Sequence, residues 1–386
     1  MSESQQSTES RLSPTTRRTA ERILRLAPAG LRLAYDPRSE TFAHTVRLVP
    51  DRAGSALRAE GTSLRYTAIA VLGLSVAPAA ARESALDGGS LEALLLRLRG
   101  PVMAGGDLGA VALSVWATAE ALGRIEPAPL ARLADAADAA DATPTVDLAW
   151  MLTAAVAALR LDPADADAAR LAESSARRLA EAQGEHGCYP HTVPAGRGGR
   201  LRAHVGSFAD QVYPLQAFAR LASLTGDADA LERAERTARR IIGLQGGSGE
   251  WWWHYDARTG EVVERYPVYS VHQHAMAPMA LFDLARAGGV EHLAPIERGM
   301  GWLDRPGAGE LVAESHSLVW RKLGRREPRK AVRTISAATT ALRPGWHLPG
   351  LDAAFPPERI DHECRPYELG WALYAWHPIL EEGRIR

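Results

Sequence analysis

The chain has 386 residues, of which 46% are hydrophobic and 24% charged, and its formal net charge is −1. That composition belongs to a folded globular protein rather than a disordered one. A charge balance this close to zero points away from nucleic acids and anionic membranes as partners. Positive charge is almost all arginine, Lys322 and Lys330 being the only lysines, and the two cysteines, Cys188 and Cys364, read as thiols of a reducing compartment.

Residues 1–15 are rich in Ser, Thr and Gln and lack the apolar stretch of a signal peptide, so a disordered tail on a cytoplasmic protein is expected. Helix begins near Thr16–Leu26, and a short hairpin is expected around Phe42–Leu48. From Ser63 two kinds of segment alternate. Residues 63–75, 107–122, 146–160, 208–224, 271–287, 312–322 and 367–380 are apolar almost all round. Residues 90–99, 128–140, 165–183, 228–245, 291–304 and 326–341 are amphipathic and rich in Arg, Asp and Glu. A helix apolar on every side is buried, and an amphipathic one is half exposed. The alternation predicts an inner ring of helices inside an outer ring, and about six hairpins close a barrel. The expected fold is an all-α (α/α) toroid formed by residues 16–386, with a small Trp-rich flap. The longest apolar run, Tyr66–Ala81, is broken by Gly73 and Pro78 and is too short to span a bilayer.

A repeat of about 60 residues supports the ring. Gln183 is followed by Gly187 and Tyr189, and Gln245 by Gly249 and Trp251, while a weaker third joint runs from Arg305 through Gly309 to Leu311. Each strong joint closes a charged helix and leads through a polar loop into an apolar one, which opens on Asp210-Gln211 in one copy and His272-Gln273-His274 in the other.

The N-terminal ends of the inner helices converge on one face, where unpaired N–H groups and the preceding loops make a concave site. His272 and His274 open one such helix and are candidate proton shuttles. Being two residues apart, they should point in different directions. Asp210 is the expected orienter of His274, with Gln211 beside it. Trp251, Trp253, His254 and Tyr255 lie in the flap, around the turn Asp256–Gly260, where aromatic faces suit sugar C–H groups or a cation. Arg65, Tyr66, Asp107 and Asp147 begin earlier inner helices. His316 and Arg321, then His362, Arg365 and Tyr367, belong to late segments over the same mouth. No third ligand stands at zinc spacing, so neither metal nor cofactor is expected.

Gly206 to Asp227, Gln245-x-x-x-Gly249, His272-Gln273-His274 and Arg365-Pro366-Tyr367-Glu368-Leu369-Gly370-Trp371 resemble the six-hairpin (α/α) superfamily, nearest the N-acylglucosamine 2-epimerase family. That resemblance implies a sugar epimerase. Where the family carries a catalytic histidine at the last helix start this chain has Tyr367, and Gly370 stands where an acidic residue is expected. The Gln-x-x-x-Gly-x-aromatic joints also resemble those of squalene and terpene cyclases and of protein prenyltransferases, without the Asp-x-Asp-Asp motif of the former or the zinc set of the latter. A mouth holding His, Asp, Glu, Arg, Tyr and Trp together suits a hydroxyl-rich ligand. The expectation is a carbohydrate-active enzyme, an epimerase or isomerase ahead of a lyase or hydrolase, acting on a small-molecule or oligosaccharide substrate. A terpene-cyclase-like enzyme and a non-catalytic binding module are the alternatives.

Overall fold

The computed structural model describes residues 11–51, 54–139, 141–196, 199, 201–304 and 309–382. Fourteen helices organise it: α1 (Pro14–Ala34), α2 (Leu64–Ser75), α3 (Ala79–Leu86), α4 (Leu91–Ala104), α5 (Leu108–Leu122), α6 (Pro127–Asp138), α7 (Thr145–Leu161), α8 (Ala166–Ala182), α9 (Phe208–Thr225), α10 (Ala228–Gly243), α11 (Ala277–Arg286), α12 (Leu293–Trp302), α13 (Ala331–Leu342) and α14 (Pro366–Glu382). The inner ring runs α2, α5, α7, α9, α11, α14, each packed on the next and α14 returning to α2. Around it lie α1, α4, α6, α8, α10 and α12, so the architecture is the (α/α) toroid expected.

Burial explains which helix goes where. Leu108–Leu122 and Thr145–Leu161 are buried on nearly every side, as helices with no polar face must be. In α10, by contrast, the buried Ala230, Ala234, Ala238 and Ile241 make one stripe while Glu232 and Arg239 are exposed and Arg233, Arg236 and Arg240 half-buried. Starts are set by capping side chains: Ser13, Ser63, Ser90, Asp107, Asp165 and Asp227 each accept a hydrogen bond from the first turn, and Ser207 and Asp210 cap each other reciprocally.

The repeated joints have a physical role. Gly187 and Gly249 sit at φ +85° and +97°, and a Cβ on either would collide with the carbonyl of Arg236 or Arg298 on the next outer helix. The aromatic backbone that follows is held by a glutamine of the next inner helix: Tyr189 N–H donates to Gln211 Oε1 (2.7 Å), and Trp251 N–H to Gln273 Oε1 (3.2 Å). At the third joint Gly309 has φ +80°, whereas Arg305 lies outside the described residues, as do residues 1–10 of the expected tail.

Two expected helices are corrected. Residues 312–322 are not an inner helix. They form the paired strands Val312–Ala313 and Leu318–Val319 around a turn with Ser317 at φ +55°, and Lys322 opens a further strand. Helix α13 is not in the outer ring but lies on the mouth against the strand Val262–Glu264. The sixth outer place is taken by α1. Helix 271–287 opens with a π turn, His272–Met276. Pro278 has no N–H for the carbonyl of His274, and that oxygen instead accepts the indole N–H of Trp376 (2.6 Å).

Short strands cover the mouth. Thr45–Asp51 pairs antiparallel with Gly54–Glu60 and with Glu363–Cys364. The flap is three-stranded, Val205–Ser207, His254–Asp256 and Val262–Glu264, and Val268–Tyr269, Lys322–Gly324 and Arg359–Asp361 make another small sheet. No described helix is long and apolar enough to cross a membrane.

Aromatic side chains fill the barrel axis. Trp150 meets Tyr213 edge-on (5.0 Å between centroids), Trp371 donates its indole N–H to Tyr213 Oη (2.9 Å), and Trp116 lies 5.4 Å from Trp371. The guanidinium of Arg65 caps this column over Trp150 and that of Arg220 caps it over Trp116 (5.3 and 5.1 Å).

Helices α2 and α14 approach so closely that a Cβ on Gly73 would strike the carbonyl of Gly370, and one on Gly370 would come 2.8 Å from the carbonyl of Ile69. Glycine at 370 is therefore a packing requirement. Gly73→Ala should lower stability by about 3 kcal/mol, at the upper end of overpacking costs. Gly301→Ala, whose Cβ meets nothing within 4 Å, should leave it unchanged or raise it. Urea denaturation of the two variants measures the difference.

Candidate active site

The mouth is organised by one guanidinium. Arg65, in the first turn of α2, reaches across to the starts of the next two inner helices. Its Nε donates to Asp107 Oδ2 (2.8 Å), and its two terminal nitrogens bind Asp147 Oδ1 and Oδ2 (2.6 and 2.9 Å). Asp107 is exposed and also caps α5 through the Ala110 N–H (3.1 Å). Asp147, only 4% exposed, sits in the first turn of α7. Gly109 makes room, since a Cβ there would sit 2.6 Å from the Arg65 guanidinium carbon.

The same guanidinium acts unequally on the two carboxyls. Burial pushes Asp147 up, and Arg65 only partly offsets it, so its proton is held more tightly than a free aspartic acid holds one. For Asp107 the lesser burial is outweighed by the hydrogen bonds and charge of Arg65, and its carboxyl lies below the usual range. Two adjacent carboxyl groups with proton affinities pushed apart make a donor and an acceptor.

Beside them stands Asp210, fully buried. Its Oδ2 accepts from Ser207 N–H and Oγ (both 2.7 Å) and meets exposed His191 Nδ1 at 3.0 Å, while its Oδ1 has no partner. The hydrogen bond and charge of Asp210 raise the His191 pKa. The flap adds Trp253, stacked on His254 (4.2 Å) with the Arg333 guanidinium 3.7 Å from its ring centroid. His254 Nδ1 is 3.0 Å from Glu264 Oε2, and burial pushes Glu264 up to about 7. On the other side Arg365 donates to Tyr66 Oη (2.8 Å), Tyr66 packs on Tyr367 (4.7 Å), and Arg321 lies over Tyr269 (5.2 Å) and pairs with Glu363 (3.1 Å).

Arg65, Tyr66, Asp147, Asp210, Trp253, His254, Arg321, Arg365 and Tyr367 are thus placed around one mouth. The other sequence candidates are placed differently. His272 and His274 are both buried, His272 between Phe208 and Tyr269, and burial pushes each down to about 3. Both ring nitrogens of His274 lack hydrogen-bond partners. Trp251 and Tyr255 are buried against Phe208. Gln211 holds the Tyr189 backbone in both directions. His316 packs at a tilt and His362 edge-on against Trp320. His191 and Glu264 did not stand out in the sequence. His191 follows the first aromatic joint by two residues, which was its one signal, and Glu264 is brought in by strand pairing across the flap.

No family model matches the chain, and no curated protein matches it by sequence. Solved structures do. It is similar to unsaturated glucuronyl hydrolase specific for heparin, with a TM-score of 0.59 and 12% identity over 96% of this chain and 98% of that one. Unsaturated glucuronyl hydrolase from Bacillus sp. GL1 follows (TM-score 0.51, 14% identity, 96% and 97%). A possible member of the GH105 family from Salmonella enterica subsp. enterica serovar Paratyphi A gives a TM-score of 0.54 at 9% identity, covering 94% of each chain. At such identities the likeness is one of fold. These toroids are hydrolases, which overturns the expected isomerase of the epimerase type and the terpene-cyclase-like alternative.

Glu368, in the first turn of α14, is fully buried, with neither carboxyl oxygen hydrogen-bonded and Arg321 Nε 3.9 Å away. Burial pushes it up to about 8. Below about pH 4 the folded and unfolded chains both hold this proton. From there to about pH 8 only the folded chain keeps it, so the stabilisation is lost as pH rises through that window. Each pH unit costs ~1.4 kcal/mol while a full proton separates the two states. Glu368→Gln should flatten the decline of urea-unfolding stability between pH 5 and pH 8, and a slope equal to wild type would refute the assignment.

Proposed function

We propose that the chain is a carbohydrate-active hydrolase that cleaves a carboxylate-bearing sugar at the mouth built on Arg65. The observation that carries this reading is the single guanidinium binding two carboxyls, one raised by burial and one lowered by charge. Glycoside hydrolysis needs that division of labour: a carboxylic acid to protonate the departing oxygen and a carboxylate to take a proton from water. Asp147 is the donor and Asp107 the acceptor. A substrate that draws Arg65 toward Asp107 leaves Asp147 in the less solvated position, which favours its neutral form. As the bond to the leaving oxygen breaks, the Asp147 proton passes to that oxygen. Water attacks the sugar carbon and yields its own proton to Asp107.

The substrate class follows from the walls. Arg321, Arg333 and Arg365 supply charge for a carboxylate, and Tyr66 and Tyr367 add aromatic surface for sugar C–H groups. The fold neighbours named as unsaturated glucuronyl hydrolases support a uronate. His272 and His274, buried with protons pushed off, have no part in this scheme.

The test is release of reducing sugar from unsaturated uronyl disaccharides, saturated uronides and neutral glycosides. Activity on the uronides is expected, with Asp147→Asn lowering kcat at least 10³-fold and leaving the fold intact, as general-acid removal does. Asp107→Asn should cost at least 10²-fold. Full activity in Asp147→Asn with loss in Glu264→Gln would transfer the acid role to the flap. No turnover of any of the three classes would overturn the proposal.

A further inference from the structure

Opposite the mouth, at the C-terminal ends of the inner helices, lies a second cavity of about 540 Å³. All six inner helices contribute to its wall, and the column Trp150–Tyr213–Trp371–Trp116 separates it from the mouth. Such a volume accepts a hexose-sized molecule.

Its charges do not cancel. Three guanidiniums, of Arg160, Arg220 and Arg286, face two carboxylates, Glu120 and Asp283. Arg220, 5% exposed, is bound to Glu120 and donates to Tyr374 Oη (2.7 Å), which in turn donates to Glu120 Oε2 (2.6 Å). Asp283 accepts from Gln216 (2.9 Å) and meets Arg286 at 3.5 Å. Both carboxylates are thereby committed. Arg160 has no carboxylate partner among the described residues, and the buried Nε of Arg220 has no acceptor. Partial desolvation at the cavity wall and the nearby Arg220 charge weaken the hold of Arg160 on its proton, while Glu120 and Asp283 act the other way.

Several last-turn carbonyls at this end are already engaged. At this end the carbonyl of Ala119 accepts from Gly123, that of Ala158 from Asp162, and that of Ala222 from Gly226 (3.0, 2.9 and 2.8 Å). The hydroxyls of Ser75, Ser223 and Tyr374 line the wall as well.

We infer that this distal cavity is a binding site for a hexose-sized anion, its carboxylate or phosphate held between Arg160 and Arg220 and its hydroxyl groups by the serine and tyrosine hydroxyls. The inference is independent of the hydrolase reading, since no residue of the mouth takes part.

Calorimetric titration with glucuronate, glucose 6-phosphate and glucose, together with hydrogen–deuterium exchange, tests it. The acid and phosphate arms tell which anion is taken, and glucose is the neutral control. Saturable binding of at least one anion and not of glucose is expected, with slowed exchange in peptides spanning 119–123 and 157–161. Arg160→Gln, at an exposed position that tolerates substitution, should weaken binding at least tenfold, while Asp147→Asn leaves it unchanged. Protection confined to the mouth peptides 63–67 and 145–148 would overturn the inference. So would equal affinity in Arg160→Gln, or no saturable heat with either anion at millimolar concentration, where ~4 kcal/mol of binding free energy still registers.

Discussion

The molecule depends on a column of aromatic rings standing where a toroid would otherwise have a hole. Trp150, Tyr213, Trp371 and Trp116 fill the axis with a guanidinium at either end. Each such ring removes roughly 150–250 Å² from water, and a desolvated cation over a ring adds about 2 kcal/mol. The two arginines belong to polar networks of their own, so the column joins the apolar centre to both polar ends. Its presence dictates where chemistry can occur. Two of the charged side chains of the inner helices, Arg65 and Arg220, stand at the opposite ends of this filled axis.

The mouth illustrates how burial, rather than residue type, assigns roles. Arg65 touches two aspartates of identical chemistry. One caps a helix in contact with water and the other is buried in the first turn of its helix, and this difference in burial is the main reason their proton affinities diverge. Histidines were the obvious proton carriers from composition, yet His272 and His274 lie too deep, where an imidazolium would lose its hydration without gaining a partner. The mixture of titratable groups at the mouth was a sound pointer to a polar ligand. It held no information on whether a proton would be shuttled to a carbon or to a leaving oxygen.

Ring order was legible because an inner helix has no polar stripe and an outer one does. Joints were legible because a left-handed glycine and a side-chain amide that binds backbone are local needs. What failed was non-local. Val312–Val319 is apolar enough for a helix, but the tight turn at Ser317 folds it into paired strands. Helix α1, expected only as a helix starting near Thr16–Leu26, completes the outer ring. Asp147 was readable as a first-turn aspartate, whereas the union of His191 with Asp210, and of Glu264 with His254, arises only when loops and strands from different repeats meet. Gly370 seemed a missing acid and proved to be the place where two backbones touch.

That contact between α2 and α14 carries a further consequence for how the protein is made. Tyr66 and Arg365, bonded to each other, are 299 residues apart, and Val46 pairs with Cys364 across the same seam. During synthesis the early hairpins leave the ribosome with the flank of α2 bare, and the growing arc offers a second bare flank at its advancing edge. Neither can be covered until α14 emerges, so the nascent protein spends most of its translation time as an open, sticky horseshoe. Slow, topology-limited closure is the cost of building a ring from a chain.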